Sequence, residues 1–369
     1  MKDENFNIPD NNPRVLIAPM DWGLGHATRC IPVISELIKQ HCTVIVAAEG
    51  QIKTLLQKEF PDLQFIDLRG YRVKYSRQKF WMPAKLLLQL PKIIIRIYTE
   101  NKWLSKTIKE NKIDAVISDN RMGLYHKQIP CIYITHQLTI KTGNFFTENV
   151  VQKVHYHYIN KFNGCWVPDN KGVLNLAGEL SHPVSFPKVP VSYLGPLSRF
   201  ENATSESKYN ICIILSGPEP QRSIFEKIIL SDIESMQQKI YLVRGLPQET
   251  QIPVLKNHLI EIKNHLAGDE LSAIIRQSKI IISRSGYSSI MDLAKLQKKA
   301  VLVPTPGQTE QTYLSIYLQK QKLFYSVDQK NFSLPNALKK AATFDYITLP
   351  ESNDEYKKVI ENFVATLTN

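Results

Sequence analysis

Short apolar runs alternate with longer amphipathic stretches along the first part of the chain. The apolar runs are rich in β-branched residues, which is typical of buried strands, and the stretches between them have helical character, as in 26–39 and 84–109. Regular alternation of this kind predicts a parallel sheet covered by helices on both faces. The predicted strands are 14–18, 43–47, 64–67, 115–118 and 131–135.

This alternation stops between residues 183 and 207 and then begins again. The interrupting stretch has four prolines and a polar end, which is typical of a linker. We therefore predict two doubly wound, Rossmann-like α/β domains facing each other across a cleft, with ligands at the carboxyl ends of the strands. The domains span 1–195 and 196–350, a helix within 351–369 is expected to pack back on the first domain, and the later strands are predicted at 209–217, 239–245, 279–286 and 299–306.

Composition supports a two-domain protein and excludes several classes. A chain of 369 residues with 43% hydrophobic residues can bury a large core. No apolar stretch is long enough to span a membrane and the N-terminus is polar, so we expect a cytoplasmic protein. The five scattered cysteines favour buried, reduced thiols over a disulfide framework or a zinc site.

The net charge of +12 is concentrated in residues 69–106, which hold ten basic residues and one acid, interleaved with Trp81 and Trp103. A solvated charged face is the ordinary interpretation. No RNA or DNA motif accompanies the segment, so we expect no nucleic-acid partner. The functional interpretation that we favour is a patch facing an anionic membrane surface. Pro83 and Pro91 predict that the helix of this segment is broken in two.

The first motif, "GLGHATR" at 23–29, follows the first predicted strand. Its glycines permit a tight turn, and the helix that follows offers free N–H groups, which favours an anion site. The third glycine of a dinucleotide fingerprint is absent, which disfavours NAD. An ordinary strand-to-helix turn with a surface histidine remains an alternative.

The second motif, "SRSGYSSIMDL" at 283–293, also follows a predicted strand. Its serines and backbone N–H groups at a helix start can hold a phosphate, and a carboxylate further along the helix can accept ribose hydroxyls. The next strand ends in "PTPGQTEQTY" at 304–313. Two polar helix starts are therefore predicted at one edge of the second sheet.

Together these motifs resemble those of nucleotide-sugar glycosyltransferases of the GT-B fold, in particular glycosyltransferase family 28, the family of the peptidoglycan lipid-linked N-acetylglucosaminyltransferase. The resemblance implies a UDP-sugar donor in the second domain, bound as a substrate and with no further cofactor. Asp292 is expected to grip the ribose, Glu310 and Gln311 the donor sugar, and Leu266 the base. The residues implied for the phosphates are Arg199, Ser216, Gly217, Arg284, Ser285, Gly286 and Ser288.

Transfer of a sugar also requires that the acceptor hydroxyl lose a proton. His26 has a suitable ordinary pKa for that role, and Asp119 is a candidate to orient its ring, with a local loop cap as the alternative for this aspartate. The absence of an Asp-x-Asp motif disfavours a metal-dependent mechanism, so we expect no metal. The residues expected at the acceptor are Gly25, Asn120 and His136.

The sequence therefore favours a glycosyltransferase that moves a sugar from a UDP-sugar to an acceptor hydroxyl. Inversion at the sugar carbon is implied only by the resemblance, and the acceptor can be a glycan, a lipid or a metabolite, presented at the cytoplasmic membrane face. A nucleotide-sugar epimerase of the same architecture, similar to UDP-N-acetylglucosamine 2-epimerase, is the alternative enzyme. A catalytically silent nucleotide-binding protein is a third alternative.

Overall fold

Two parallel β-sheets organise the computed structural model, which describes residues 12–71, 82–142, 145–350 and 354–368. Every strand pairing within the two sheets is parallel. Helices cover the sheet faces, as the alternating pattern predicts. The predicted fold class, two Rossmann-like α/β domains, is confirmed.

The first sheet has seven strands in the order β3-β2-β1-β4-β5-β6-β7. The inner strands are almost entirely buried and mostly apolar, since both of their faces are covered. In chain order its strands and helices are β1 Arg14–Pro19, α1 Leu24–Lys39, β2 Thr43–Ala48, α2 Gly50–Glu59, β3 Gln64–Asp67, α3 Met82–Asn111, β4 Ala115–Asp119, β5 Cys131–Ile134, α4 Phe145–Ile159, β6 Gly164–Val167 and β7 Val191–Tyr193.

The second sheet has six strands in the order β10-β9-β8-β11-β12-β13. Its core is formed by apolar residues of the central strands and of the helices beside them. In chain order the elements of this part are β8 Tyr209–Ile214, α5 Gln221–Ile233, β9 Ile240–Val243, β10 Ile260–Lys263, α6 Gly268–Arg276, β11 Ser278–Ser283, α7 Tyr287–Lys295, β12 Ala300–Leu302, α8 Thr309–Lys320, β13 Tyr325–Ser326, α9 Leu334–Ala342 and α10 Glu355–Thr368.

Each sheet contains one point at which the strand order changes direction. In the first sheet β1 lies between β2 and β4, and in the second sheet β8 lies between β9 and β11. At these switch points neighbouring loops leave in opposite directions and open a crevice, where ligands of such folds bind. The register pairs Pro19 with Asp119, so the loop after β1 and the end of β4 are neighbours.

The last helix returns to the first domain. α10 contacts α1 and β7, and Phe363 packs edge-to-face on Trp166 of β6, with ring centroids 5.4 Å apart. Ile360 of α10 is fully buried in a core shared by both domains. This crossing connects the end of the chain to the domain in which it begins.

Two details of the sequence prediction are wrong. The expected linker 183–207 contains β7, an edge strand that pairs with β6. Pro190, directly before it, has no N–H to donate, which is tolerated at the start of an edge strand, and its carbonyl accepts a hydrogen bond from the Cys165 N–H. α3 is one helix, not two. Pro83 lies in its first turn, where an N–H has no partner in the helix, and Pro91 does not end it.

Some predictions fall partly outside the described residues. The basic segment 69–106 includes 72–81, which the structure does not describe. Within the described ranges, no helix is both long enough and apolar enough to cross a bilayer. All five cysteines are described, buried and unpaired.

One buried ion pair holds the loop that follows β4. Arg121 and Glu100 of α3 are each about 1% exposed, and Arg121 Nε donates to Glu100 Oε1 at 2.8 Å. Tyr71 donates its hydroxyl to Glu100 Oε2 at 2.6 Å, and Arg121 also donates to the carbonyl of Arg69. The pair therefore connects α3, the loop after β3 and the loop after β4, beside the candidate site.

Candidate active site

His26 and Asp119 meet at the switch point of the first sheet. His26 lies in the first turn of α1, which begins after the glycine turn that follows β1, and Asp119 is the last residue of β4. The His26 Nδ1 atom is 2.7 Å from Asp119 Oδ2. The histidine side chain is 16% exposed, whereas the aspartate is fully buried. The two residues singled out for catalysis are therefore in direct contact.

Arg29 is a third member of this cluster that the sequence interpretation missed. Its Nε donates to Asp119 Oδ1 at 2.9 Å, and its Nη2 also bonds to that oxygen. Nη2 lies 2.7 Å from His26 Nδ1 as well. The signal was present in "GLGHATR", since residues three apart share a helix face and His26 and Arg29 are so spaced.

The three side chains shift one another's pKa values. Burial would raise the pKa of Asp119, but Arg29 and His26 more than offset this and hold it below its ordinary value. Burial and the nearby guanidinium lower the pKa of His26, against the opposite effect of Asp119. At neutral pH the site therefore contains a carboxylate, a guanidinium and a neutral imidazole, which can accept a proton.

His136 extends the cluster to the second domain. Its Nε2 lies 2.8 Å from Glu310 Oε1 on α8, and its Nδ1 lies 3.3 Å from Arg29 Nη1. The imidazole stacks on the ring of Tyr287, nearly parallel and with centroids 4.0 Å apart. His136, expected at the acceptor, thus contacts a residue expected at the donor sugar, and the cluster crosses the cleft between the domains.

Gly25 and Ser288 also meet across the cleft. The Ser288 hydroxyl donates to the carbonyl of Gly25 at 3.1 Å. A Cβ atom placed on Gly25 would lie 2.4 Å from Ser288 Oγ, so only glycine permits this approach. The structure therefore places these two residues against each other, although the sequence assigned one to the acceptor and the other to the phosphates.

Polar loops also converge at the switch point of the second sheet. Gly286 precedes α7, and Ser216 and Gly217 follow β8, where Gly217 adopts a φ of 100° that favours glycine. Ser285 is fully buried and donates its hydroxyl to the carbonyl of Gln311, while the Gln311 side chain accepts from the Thr305 N–H at 2.8 Å. Ser285 and Gln311 thus tie the starts of α7 and α8 together, and Gly286, directly before α7, is half-buried beside them.

Asp292 lies one to two turns along α7. It accepts a 2.6 Å hydrogen bond from Ser198, in the segment that enters the second domain, and Arg199 lies beside it. Arg199 also approaches Gly268 at the start of α6, and Leu266 precedes that helix in a small apolar cluster. Burial raises the pKa of Asp292 to about 7, although Ser198 and Arg199 act to lower it.

Asn120 is the residue between Asp119 and the buried Arg121. It adopts a left-handed φ of 57°, and its N–H donates to the carbonyl of Ile134. Asparagine tolerates this conformation better than most residues. Asn120 therefore turns the chain sharply at the carboxyl edge of the first sheet, beside the catalytic candidates.

The expectation that Arg284 contacts a diphosphate is not met. The side chain is 1% exposed, and its Nη2 donates to the carbonyl of Gln221 at 2.9 Å and to Gln329 Oε1 at 2.7 Å. The guanidinium lies over the ring of Phe225, 4.4 Å from its centroid. Burial lowers the pKa of Arg284 to about 10. Arg284 is therefore buried below the loops of the second sheet and supports them. The sequence motif could not distinguish this buried position from one at the surface.

Two protein-family models match the chain, one in each domain. Residues 217–362 match the glycosyltransferase family 28 C-terminal domain, and residues 14–161 match glycosyl transferase family 1. These ranges include the cluster around His26 and Asp119, and Gly217, Ser285, Gly286 and Gln311 of the second switch point.

Two curated relatives share one name, UDP-N-acetylglucosamine--N-acetylmuramyl-(pentapeptide) pyrophosphoryl-undecaprenol N-acetylglucosamine transferase. The protein of Sulfurihydrogenibium sp. is 26% identical over 42% of this chain and 47% of its own length, so this match spans about half of that relative. The protein of Clostridium tetani is 22% identical over 76% of this chain and 75% of its own length.

Solved structures show the same two-domain arrangement. UGT89C1 of Arabidopsis thaliana superposes with a TM-score of 0.66 at 12% identity, covering 97% of this chain and 100% of that one. MurG of Acinetobacter baumannii superposes with a TM-score of 0.52 at 12% identity, covering 96% and 94%. At these identities the likeness is one of fold alone.

Two parallel-sheet domains with polar loops converging on a shared cleft, together with these matches, define a glycosyltransferase of the GT-B fold. The sequence resemblance is confirmed. Within that class the second half of the chain is similar to glycosyltransferase family 28, whose C-terminal domain model matches residues 217–362.

Asp292 makes stability depend on pH. The pKa of Asp292 is about 7 in the folded chain, against an ordinary value of 3.8. Folding therefore opposes its ionisation, and the free energy of unfolding is lowest at pH values where Asp292 is ionised. Stability should therefore fall as the pH rises from about 4 to about 7. Asp292→Asn removes this effect, and we expect its gain in melting temperature over the wild type to be larger at pH 8 than at pH 5.

The exposed Asp62 offers a matched control, because Asp62→Asn changes a carboxylate that is solvated in both states. Thermal unfolding of the three proteins at both pH values measures the effect. A gain for Asp292→Asn that is the same at pH 5 and pH 8 would contradict the assignment.

Proposed function

We propose that this enzyme transfers a sugar from a UDP-sugar to an acceptor hydroxyl, with inversion at the sugar carbon and His26 as the general base. The observation that carries the proposal is the contact between His26 and Asp119, 2.7 Å apart at the switch point of the first sheet, next to residues of α7 and α8 from the second domain. A proton acceptor thus lies beside the elements that suit an anionic donor.

The proposed step is a single displacement. The acceptor oxygen attacks the anomeric carbon from the face opposite the diphosphate, and its proton moves to His26 Nε2. The new carbon–oxygen bond forms as the bond to the diphosphate breaks, and UDP leaves with that electron pair. Backbone N–H groups at Gly217 and at the α7 N-terminus would stabilise the departing charge. Asp119 stabilises the imidazolium that forms.

The nucleotide is proposed to be a uridine diphosphate. The names of both curated relatives include UDP-N-acetylglucosamine, and the structure of UGT89C1 has been solved with UDP-L-rhamnose. In this chain Asp292, at the predicted ribose position, lies beside Ser198 and Arg199. The epimerase alternative gains no support, since both curated relatives are named as transferases.

The acceptor is proposed to approach through the first domain. A pocket opens between the loops after β1 and β2, lined by Asp21, Gly23, Leu24 and residues 49–52. These include the turn that leads directly to His26. An acceptor in this pocket would present its hydroxyl to the base from the side away from the second sheet.

A membrane surface is the proposed location of that acceptor. α3 and α4 are neighbours, since Ile93 and Tyr158 pack on the same small apolar cluster. Apolar side chains remain largely exposed on both helices, and Lys102 lies over the exposed ring of Tyr98. Exposed apolar residues beside basic ones suit binding to an anionic leaflet. The exposed apolar residues of the patch are Ile94, Ile95, Tyr98, Val150 and Val154.

Two variants separate binding of the donor from proton transfer. We expect His26→Ala to lower turnover by about 10²- to 10⁴-fold while UDP binds as before, because only the general base is lost. Asp292→Ala should weaken UDP binding by about tenfold or more, because a hydrogen-bond acceptor for the ribose hydroxyls is lost. Calorimetry with UDP and a donor-consumption assay measure the two effects.

His258, exposed in the second domain, supplies the control, since His258→Ala should change neither quantity. Loss of UDP affinity in His26→Ala would assign His26 to the phosphates and contradict its role as the base.

The membrane proposal is tested by co-sedimentation with vesicles of phosphatidylglycerol. Replacing Ile94 and Ile95 together by Asp should reduce binding at least about tenfold, because two apolar side chains can no longer enter the lipid. Val254→Asp is the control, an equally polar change at an exposed valine of the second domain. Equal sedimentation of the double variant and the wild type would reject the patch.

A further inference from the structure

Two groups with opposite hydrogen-bonding requirements face the Nδ1 atom of His26. Asp119 Oδ2 and Arg29 Nη2 each lie 2.7 Å from this one nitrogen. An ionised carboxylate only accepts hydrogen bonds, and a guanidinium only donates them. Nδ1 can satisfy one partner at a time: it donates to Asp119 if it carries a proton, and it accepts from Arg29 if it does not.

His136 shows what happens when the two partners do not compete. Glu310, which accepts, faces its Nε2, and Arg29, which donates, faces its Nδ1. The neutral ring is therefore fixed with the proton on Nε2. The partners of His26 do not fix the position of its proton in this way, because Asp119, which accepts, and Arg29, which donates, both face Nδ1.

We propose that Arg29 is a positioning residue that competes with Asp119 for Nδ1 of His26 and so sets which nitrogen of that ring carries the proton. This rests on the proposed function, since a general base at Nε2 requires the proton on Nδ1. Two tautomers then exist. In one, Nδ1 donates to Asp119 and Nε2 is free to accept a proton; in the other, Arg29 holds Nδ1 and Nε2–H can only donate.

The charges around the site agree with this assignment. The groups that act on His26 are Asp119 at the end of β4, Arg29 on α1, His136 after β5 and Glu310 on α8. Asp119 keeps the pKa of Arg29 above its ordinary value in spite of burial, so the guanidinium stays charged. The guanidinium is 3% exposed and bonded on three sides, which restricts its movement. Removing its charge while Asp119 remains should make His26 more basic.

Arg29→Gln tests the proposal, with Arg29→Lys as the variant that keeps the charge. Protein labelled with ¹⁵N in its histidine rings is titrated without substrate, and His26 is assigned by its loss in His26→Gln. In Arg29→Gln we expect His26 to titrate at higher pH than in the wild type and the fraction protonated on Nδ1 to rise. Arg29→Lys should return both values toward the wild type.

The wild-type spectrum provides a second measurement that does not depend on the Arg29 variants folding. At pH 8 the proposal expects ¹⁵N shifts of His26 that lie between those of the two pure tautomers. A ring protonated on Nδ1 alone, or an unchanged titration in a folded Arg29→Gln protein, would overturn it.

Kinetics then separate this inference from the function on which it rests. In Arg29→Gln the acidic limb of kcat/KM should move to higher pH, so that the ratio of activity at pH 6 to that at pH 8 falls by at least about threefold. A uniform loss at all pH values would indicate a structural role for Arg29 and contradict the proposal. If no transfer is detected with any donor, the proposed function fails, and the substrate-free titration still decides the role of Arg29.

Discussion

An ionised carboxylate, that of Asp119, lies fully buried at the end of a central strand, and its charge must be balanced there. Removing such a charge from water costs several kcal/mol unless partners compensate it closely. Arg29 and His26 supply that compensation from α1. The same contacts hold the first turn of α1 against the end of β4, so the orientation of the imidazole follows from the need to balance the buried charge.

The loop that follows Asp119 is held equally firmly. Asn120 turns the chain with a positive φ, and Arg121 forms a buried ion pair with Glu100 of α3. Breaking a buried pair by removing one partner is costly, which makes this loop a rigid support. α3 also carries Ile94, Ile95 and Tyr98 of the proposed membrane patch, so one helix both supports the loop beside the candidate base and contributes to that patch.

Contacts across the cleft then relate the two halves of the site. Gly25 allows Ser288 to approach, and His136 links Arg29 to Glu310. Ser288 and Glu310, in the first turns of α7 and α8 of the second domain, thus form hydrogen bonds with residues beside Asp119 in the first domain.

The hydrophobic pattern predicted the fold because the central parallel strands are buried and mostly apolar, and this signal is strong in β1, β2, β4, β5, β8 and β11. It did not find β6 at 164–167, or three of the four edge strands, β7 at 191–193, β10 at 260–263 and β13 at 325–326. In the site, His26 and Asp119 could be predicted since both follow strands that meet at one edge. Arg284 was misplaced because a motif gives no sign of whether an arginine lies above or beneath a loop.

A crystal structure with UDP bound would show most directly whether the second sheet holds the nucleotide and the first sheet supplies the base. We expect the diphosphate at the N-terminus of α7 near Gly217 and Gly286, the ribose at Asp292, and His26 free of contact with the nucleotide. A diphosphate bound at Gly23 and Gly25, with the loops of the second sheet unoccupied, would contradict it.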